Sequence, residues 1–354
     1  MFRIRPVAIA DLSALFALAS NSGIGLTTLP ADEAILRKRI ETSLASFAGH
    51  AERADEMFVF VLEDTSHTRV VGVAAIATAV GLREAWYSYR VGTAVHASKE
   101  LEIFNQTPTL FLSNDHTGHS ELCSLFLAAD YRHGSNGSLL SKCRFLFIAQ
   151  FRERFSQKII AELRGVSDAA GRSPFWDSLG RRFFSMEFQR ADYLTGIGKK
   201  SFVAELMPKH PLYTSFLSAD AQAVIGKTHT LTEPARRLLE REGFRYEGHV
   251  DIFDAGPTVE CEADDIGAVA DSQLFTVGVK ADEGEPSGVA MLVANTRFAE
   301  FRAAVAHATP ANGVLALTRA DAAALGVREG DTVRAVSLHV SDRGQFGVVK
   351  SVKP

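Results

Sequence analysis

The stretch Glu121-Leu122-Cys123-Ser124-Leu125-Phe126-Leu127-Ala128-Ala129-Asp130-Tyr131-Arg132-His133-Gly134-Ser135-Asn136-Gly137-Ser138 decides the reading of this chain. An apolar strand, Leu122 to Leu127, meets a glycine-bearing turn, Tyr131 to Gly137, and a helix follows. That order builds an anion site. The first turn of a helix carries backbone N–H groups without intrahelical partners at the positive end of its dipole, so a phosphate there is stabilised twice. Arg132 adds a formal charge, and Gly134 and Gly137 allow backbone to approach a ligand closely. From Ser138 onward Leu140, Cys143, Phe147 and Phe151 recur on one helical face. Lys142, Arg152 and Glu153 are expected to face solvent.

Working outward, Phe2 to Arg5 alternates as a short strand closed by Pro6, and Asp11 is placed to cap a helix carrying Leu12, Leu15, Phe16 and Ala19. A second helix fits Ala31 to Phe47. The segment Ser22 to Pro30 reads as a loop that borders a site or connects the helices. Strands are expected over Met57 to Leu62, Val70 to Val80 and Lys158 to Leu163.

The turn and this element order resemble the acyl-CoA-binding core of the GCN5-related N-acyltransferase superfamily. Its usual pattern is Arg or Gln, two residues, Gly, one residue, then Gly or Ala. From Arg132, the chain has Ser135 at the first glycine position and matches at Gly137. The resemblance implies an α/β (α+β) fold of the acyl-CoA N-acyltransferase type with a mixed central sheet. Ser173 to Gly180 resembles the late helix of the superfamily. The tyrosine often used there as proton donor would align with Trp176, whose indole N–H has no useful acidity.

At 354 residues the chain suggests two or three domains, and 46% hydrophobic with 23% charged residues describes an ordinary globular protein. A net charge of −4 calls for neither nucleic acid nor an anionic membrane. Cys123, Cys143 and Cys261 form no CxxC pair, which points away from a disulfide framework and towards a reducing cytoplasm. No apolar run is long enough to span a bilayer, and the N-terminus reads as strand rather than signal peptide.

Several longer phrases resemble the arginine N-succinyltransferase family: Ser113 to Cys123, Phe175-Trp176-Asp177, Phe188 to Tyr193, Ile225 to His229, Glu242 to Tyr246 and Val250 to Pro257. The resemblance implies transfer of a succinyl group from succinyl-CoA, a co-substrate rather than a resident cofactor, to the α-amino group of L-arginine. It implies His229 as proton donor and a succinyl-CoA site that includes Leu125. By spacing alone His229, just ahead of the helix Thr232 to Gly243, either reaches a cleft or lies on the surface. Leu125 by itself reads equally as a core leucine. The expected acyl-CoA site comprises Leu125, Leu127, Arg132, His133, Gly134, Ser135, Asn136 and Gly137. Two related readings stay open: an acyltransferase for ornithine or another amine, and a non-catalytic acyl-CoA-binding subunit. An oligomer, homomeric or with a paralogous subunit, is expected.

The substrate charges add requirements. A guanidinium is best held by a carboxylate, for which Asp115 and Glu121 are candidates. A succinyl carboxylate is best met by arginine or backbone N–H groups, for which Arg172, Arg181, Arg182 and Arg190 are candidates or else form a solvated basic face. No metal is expected, because His116-x-x-His119-x-Glu121 fits neither a strand face nor a helix turn. Direct attack on the thioester leaves Cys123 and Cys143 without a nucleophilic role.

Past Cys261 the texture changes. Asp282 to Pro286 reads as a polar turn between apolar strands, and Thr318 to Val333 resembles small β-barrels of the aspartate-decarboxylase-like type. The expected division is 1–258, an acyltransferase domain with an enlarged central region, and 259–354, a small barrel-like β-rich module for packing or subunit association.

Overall fold

The structure, a computed structural model, describes residues 1–21, 29–196, 205–280 and 288–339. The loop at 22–28 and the turn Asp282 to Pro286 therefore lie outside the described residues, as does the chain beyond 339.

The chain opens with β1 (Phe2–Pro6), α1 (Leu12–Ser20) and α2 (Glu33–Phe47), then the antiparallel pair β2 (Met57–Asp64) and β3 (Arg69–Ala77). A long hairpin follows, β4 (Ser88–Ser98) with β5 (Ile103–Ser113), which the sequence reading did not anticipate. Its outer half is polar or exposed, so it lacks the alternation that marks a half-buried strand. Next come β6 (Ser120–Leu127), α3 (Asn136–Gln150), β7 (Lys158–Glu162), α4 (Phe188–Gly196), β8 (Leu212–Tyr213), α5 (Glu233–Arg241), β9 (Arg245–Val250) and β10 (Pro257–Glu262). The remainder is β11 (Gln273–Lys280), β12 (Val289–Asn295), β13 (Ala303–Ala308), β14 (Val314–Thr318), α6 (Arg319–Leu325) and β15 (Thr332–Ser337). From β1 through β7 this is the element order of the acyl-CoA N-acyltransferase fold.

All these strands join one mixed sheet in the order β14-β11-β15-β12-β13-β1-β2-β3-β6-β7-β10-β9-β4-β5-β8. The first strand joins the C-terminal strands where Ile4 of β1 pairs with Ala303 of β13. β11 to β15 and α6 also enclose a separate core built on Val277, Val293, Leu315 and Leu325. β10 runs unbroken across position 258.

The hydrophobic centre lies around α3. Phe147 meets Phe58 at 4.9 Å and Phe301 at 5.0 Å between ring centroids, so aromatic rings from β2, α3 and the segment before β13 interlock. Leu292, Ala303 and Val336 of the C-terminal strands belong to this same core. The sequence reading gave α3 one buried face, yet residues 139–148 are all buried. The physical reason is that β12, β13 and β15 cover the side of α3 that β3 and β6 leave open.

Lys142 is accordingly not solvated: its Nζ lies 2.9 Å from Glu242 Oε1 and donates to the Leu338 carbonyl at 2.8 Å. Other local expectations change as well. Asp11 does not cap α1 through its side chain; it accepts from the Ala8 N–H at the start of the short 3-10 turn Ile9–Asp11 and pairs with Arg5 at 2.7 Å. The helical turn after Ser173 is a π-helix over Trp176–Gly180, and it places Gly180 against the indole of Trp176.

Candidate functional site

β6 and β7 are parallel but pair only at Ser120↔Ile159 and Glu121↔Ile160. Beyond those pairs, residues 122–127 of one side and 161–164 of the other line a cleft of about 1310 Å³. Ladder bonds that are not made between the strands leave backbone amides for an extended ligand. The opposite edge of β6 is also irregular. Val73 of β3 pairs with Phe126 and Ala75 with Cys123, so β6 carries one residue more than β3 between these pairs. Ser124 absorbs that bulge at φ +53°, a left-handed torsion costing about 1 kcal/mol in a non-glycine residue. Strain of this kind, held in the wall of a cleft, is a mark of a functional backbone.

At the mouth, Arg132 donates from Nε to the Leu127 carbonyl at 2.9 Å and lies over the Phe126 ring at 5.5 Å. Gly134 turns at φ +57° and α3 begins two residues later. Ser135 occupies the N-cap without a side-chain cap bond. Leu125, Leu127, Arg132, His133, Gly134 and Gly137 line the cleft; Ser135 and Asn136 do not, and the Asn136 side-chain amide donates to the Tyr131 carbonyl instead.

His229 precedes α5. Its backbone N–H donates to the Arg164 carbonyl at 2.9 Å, and its Nδ1 accepts from the Leu231 N–H at 3.1 Å, which places the imidazole proton on Nε2. The ring is half-buried and does not itself line the cleft; Arg164, Thr230, Leu231 and Thr232 around it do. Burial, reinforced by the Arg164 charge, holds its pKa below the usual 6.5. A neutral ring is thus the resting form at pH 7. Both Cys123 and Cys143 are fully buried from charge-stabilising water, and burial pushes each thiol up to about 12, far from a thiolate.

The two carboxylates expected at the site separate. Glu121 is buried and lines the cleft. Asp115 does not: its Oδ2 lies 3.2 Å from His249 Nε2 and 3.7 Å from Arg90, on another part of the molecule. Arg172, Arg181, Arg182 and Arg190 are all exposed and none lines the cleft; Arg172 pairs with Asp168, and Arg181 with Glu187. Arg132 is joined in the lining by cations that went unnamed in the sequence reading, among them Arg39 from α2, Arg144 from α3 and Arg164 just after β7. Burial lowers the pKa of both Arg39 and Arg144, opposed by the charge of Glu121 in each case. Arg144 follows Leu140 by four residues, so an arginine on the apolar stripe was the available signal. Trp176, at the position of the superfamily's tyrosine, is fully buried, donates from Nε1 to the Met186 carbonyl at 2.9 Å and does not line the cleft.

Comparison with known proteins gives the same direction over most of the chain. The family model described as arginine N-succinyltransferase beta subunit matches residues 2–268, and the model of that subunit's C-terminal domain matches 273–337. A protein of Enterobacter sp. (strain 638) named arginine N-succinyltransferase is 56% identical over 341 residues, covering 96% of this chain and 98% of its own. One from Citrobacter koseri with that name is 55% identical over 346 residues, covering 97% and 99%. Among solved structures, the arginine/ornithine succinyltransferase subunit AI from Pseudomonas aeruginosa superposes with a TM-score of 0.87 at 37% identity, over 96% of this chain and 99% of that one. With the split between β6 and β7, the bulge at Ser124 and the turn into α3 all present in a chain matched over residues 2–268 and 273–337, it belongs to the arginine N-succinyltransferase family.

Proposed function

We propose that this chain transfers the succinyl group of succinyl-CoA to the α-amino group of L-arginine, giving N2-succinylarginine and CoA. The observation that carries the reading is the cleft between the diverging ends of β6 and β7, closed at one end by the Arg132–Gly137 turn and the start of α3. The pantetheine amides bond the backbone of Leu125 and Leu127, and the pyrophosphate sits on the turn beside Arg132, His133, Gly134 and Gly137. Ser135 and Asn136 shape that turn from behind.

The amine nitrogen attacks the thioester carbonyl, a tetrahedral intermediate forms, the C–S bond breaks, and the sulfur takes a proton. The amine reacts in its neutral form. His229, neutral at rest with its proton on Nε2, gives that proton to the departing thiolate and regains one from the nitrogen as the amide forms, so one proton crosses from nitrogen to sulfur and the ring is restored. Arg39 and Arg144 with Glu121 form a group of net charge +1 in the cleft wall, which suits the succinyl carboxylate and repels a second guanidinium. Glu121 therefore fits better as the carboxylate that positions these arginines than as the holder of substrate arginine.

The name of the Pseudomonas relative makes ornithine a competing acceptor, and names it a subunit, which supports assembly with a second copy or a paralogue. The three free, buried cysteines support a reducing, cytoplasmic setting. CoA release by the purified chain, with succinyl-CoA and acetyl-CoA each offered arginine and ornithine, tests the reading. Fastest turnover is expected with succinyl-CoA and arginine; turnover only with acetyl-CoA or only with ornithine overturns it. Succinyl-CoA binding without release from any pair indicates a partner-dependent subunit.

A further inference from the structure

Away from the cleft, the turn after β5 carries His116, with only 1% of its surface exposed. Its ring lies 4.4 Å, centroid to centroid, from His249 of β9. Among the described residues neither nitrogen of His116 has a hydrogen-bond partner, and the same holds for Nδ1 of His249 and Nδ1 of His119. Each such buried orphan costs roughly 1–3 kcal/mol unless something else binds it. Glu260 of β10 approaches from the sheet. Val259 and Cys261 on either side of it face the α3 core, so alternation turns Glu260 to the opposite face, the one that Thr258 and its partner His249 share. His116 Nε2 stands 3.5 Å from Glu260 Oε2, near enough for charge but without hydrogen-bond geometry. One ligand atom from each of His116, His249 and Glu260 falls within 4.8 Å of the others. None of the three lines the acyl-CoA cleft.

We propose that His116, His249 and Glu260 bind a divalent first-row transition ion of the zinc type, with His119 or water completing four-fold coordination. Three features beyond proximity support it. Two imidazoles and a carboxylate form a donor set suited to zinc. Asp115 Oδ2 accepts from His249 Nε2 at 3.2 Å, which fixes the tautomer and leaves the Nδ1 lone pair directed away from that carboxylate, the arrangement by which carboxylates orient metal-binding histidines. The ligands come from the β5–β6 turn, β9 and β10, so an ion would tie together elements that the chain separates by more than a hundred residues. Lys158 Nζ, 3.3 Å from Glu260 Oε2, opposes the ion's charge, and Arg90 lies beyond Asp115. The ion's role is to hold the turn that launches β6, and the reacting atoms do not touch it.

The test uses the full chain without a histidine tag, stripped with a chelator and titrated with Zn²⁺ against a chromophoric competitor, with thermal unfolding measured in parallel. One equivalent of zinc is expected to bind, raising the melting temperature. Binding should weaken by at least about tenfold in His116→Gln, His249→Gln and Glu260→Gln, since each removes a ligand. Lys158→Met should tighten it, and His67→Gln, at an exposed histidine, should leave it unchanged. Co²⁺ substitution supplies a readout on the unmutated chain: visible bands of tetrahedral intensity are expected. Less than about one tenth of an equivalent bound, no cobalt bands, or full binding retained in the His116→Gln/His249→Gln pair overturns the proposal. A variant that fails to fold leaves the cobalt spectrum of the unmutated chain to decide.

Discussion

His229 illustrates how one residue acquires a role from its surroundings. A histidine ahead of a helix has no assigned direction in sequence; here the Leu231 N–H fixes its tautomer, and burial beside Arg164 keeps the ring neutral. His229→Gln is expected to lower kcat about 10²- to 10⁴-fold, the usual span for general acid–base catalysis, with no comparable change in succinyl-CoA affinity. In the unmutated chain kcat/KM should fall on acidification at a pH below the usual ~6.5, because protonating Nδ1 breaks its bond from the Leu231 N–H and unseats the ring, and that limb should vanish in the variant. Steady-state kinetics between pH 5 and pH 9 would check both. Lys142 makes the complementary point about stability. It forms a buried pair with Glu242, so Lys142→Met leaves a buried carboxylate without its ammonium, held only by neutral donors such as the Ala268 N–H, and should destabilise by about 3 kcal/mol in urea unfolding. The double change Lys142→Met/Glu242→Gln should recover much of that loss, and failure to recover it would show that the lysine acts through packing alone.

At the scale of elements, the glycines of the β6–α3 turn separate folding from binding. An added Cβ at Gly137 would meet nothing within 4 Å, and Gly137 has no positive torsion. Gly137→Ala should therefore leave the melting temperature nearly unchanged while raising KM for succinyl-CoA, since only an incoming pyrophosphate would meet the methyl group. Equal KM in the variant would place the phosphates elsewhere. Gly180 is the opposite case: a Cβ there would clash with the Trp176 ring, so Gly180→Ala is expected to lower stability strongly. Strand β6 was legible because its apolar run ends at a glycine turn. The β4–β5 hairpin was not, because exposed strands with mixed side chains carry no period-2 signal.

For the whole molecule, acidity acts through several histidines at once. In the chain stripped of metal, burial is the leading cause that holds His119, His229 and His249 below the usual 6.5, so the unfolded chain binds more protons than the native one as pH falls towards and past that value. Their contribution is fully present above pH 6.5 and is lost on acidification, so the urea midpoint should drop between about pH 7 and pH 5. Glu260, held down to about 2 chiefly by His116, contributes above pH 4.5 and loses that contribution only in stronger acid. A midpoint that rises on going from pH 7 to pH 5 would contradict this sign. The strand-turn-helix phrase by itself marked an anion-binding turn and the neighbourhood of the cleft, because close backbone approach and a free helix N-terminus are local properties, while the acyl-CoA reading came from the resemblance of that phrase and the element order to a known family. Which cations line that cleft, why α3 is buried on every side and how His116 meets His249 and Glu260 depended on pairings across the sheet. A side chain's environment there is set by strands remote in sequence, and local periodicity carries no record of them.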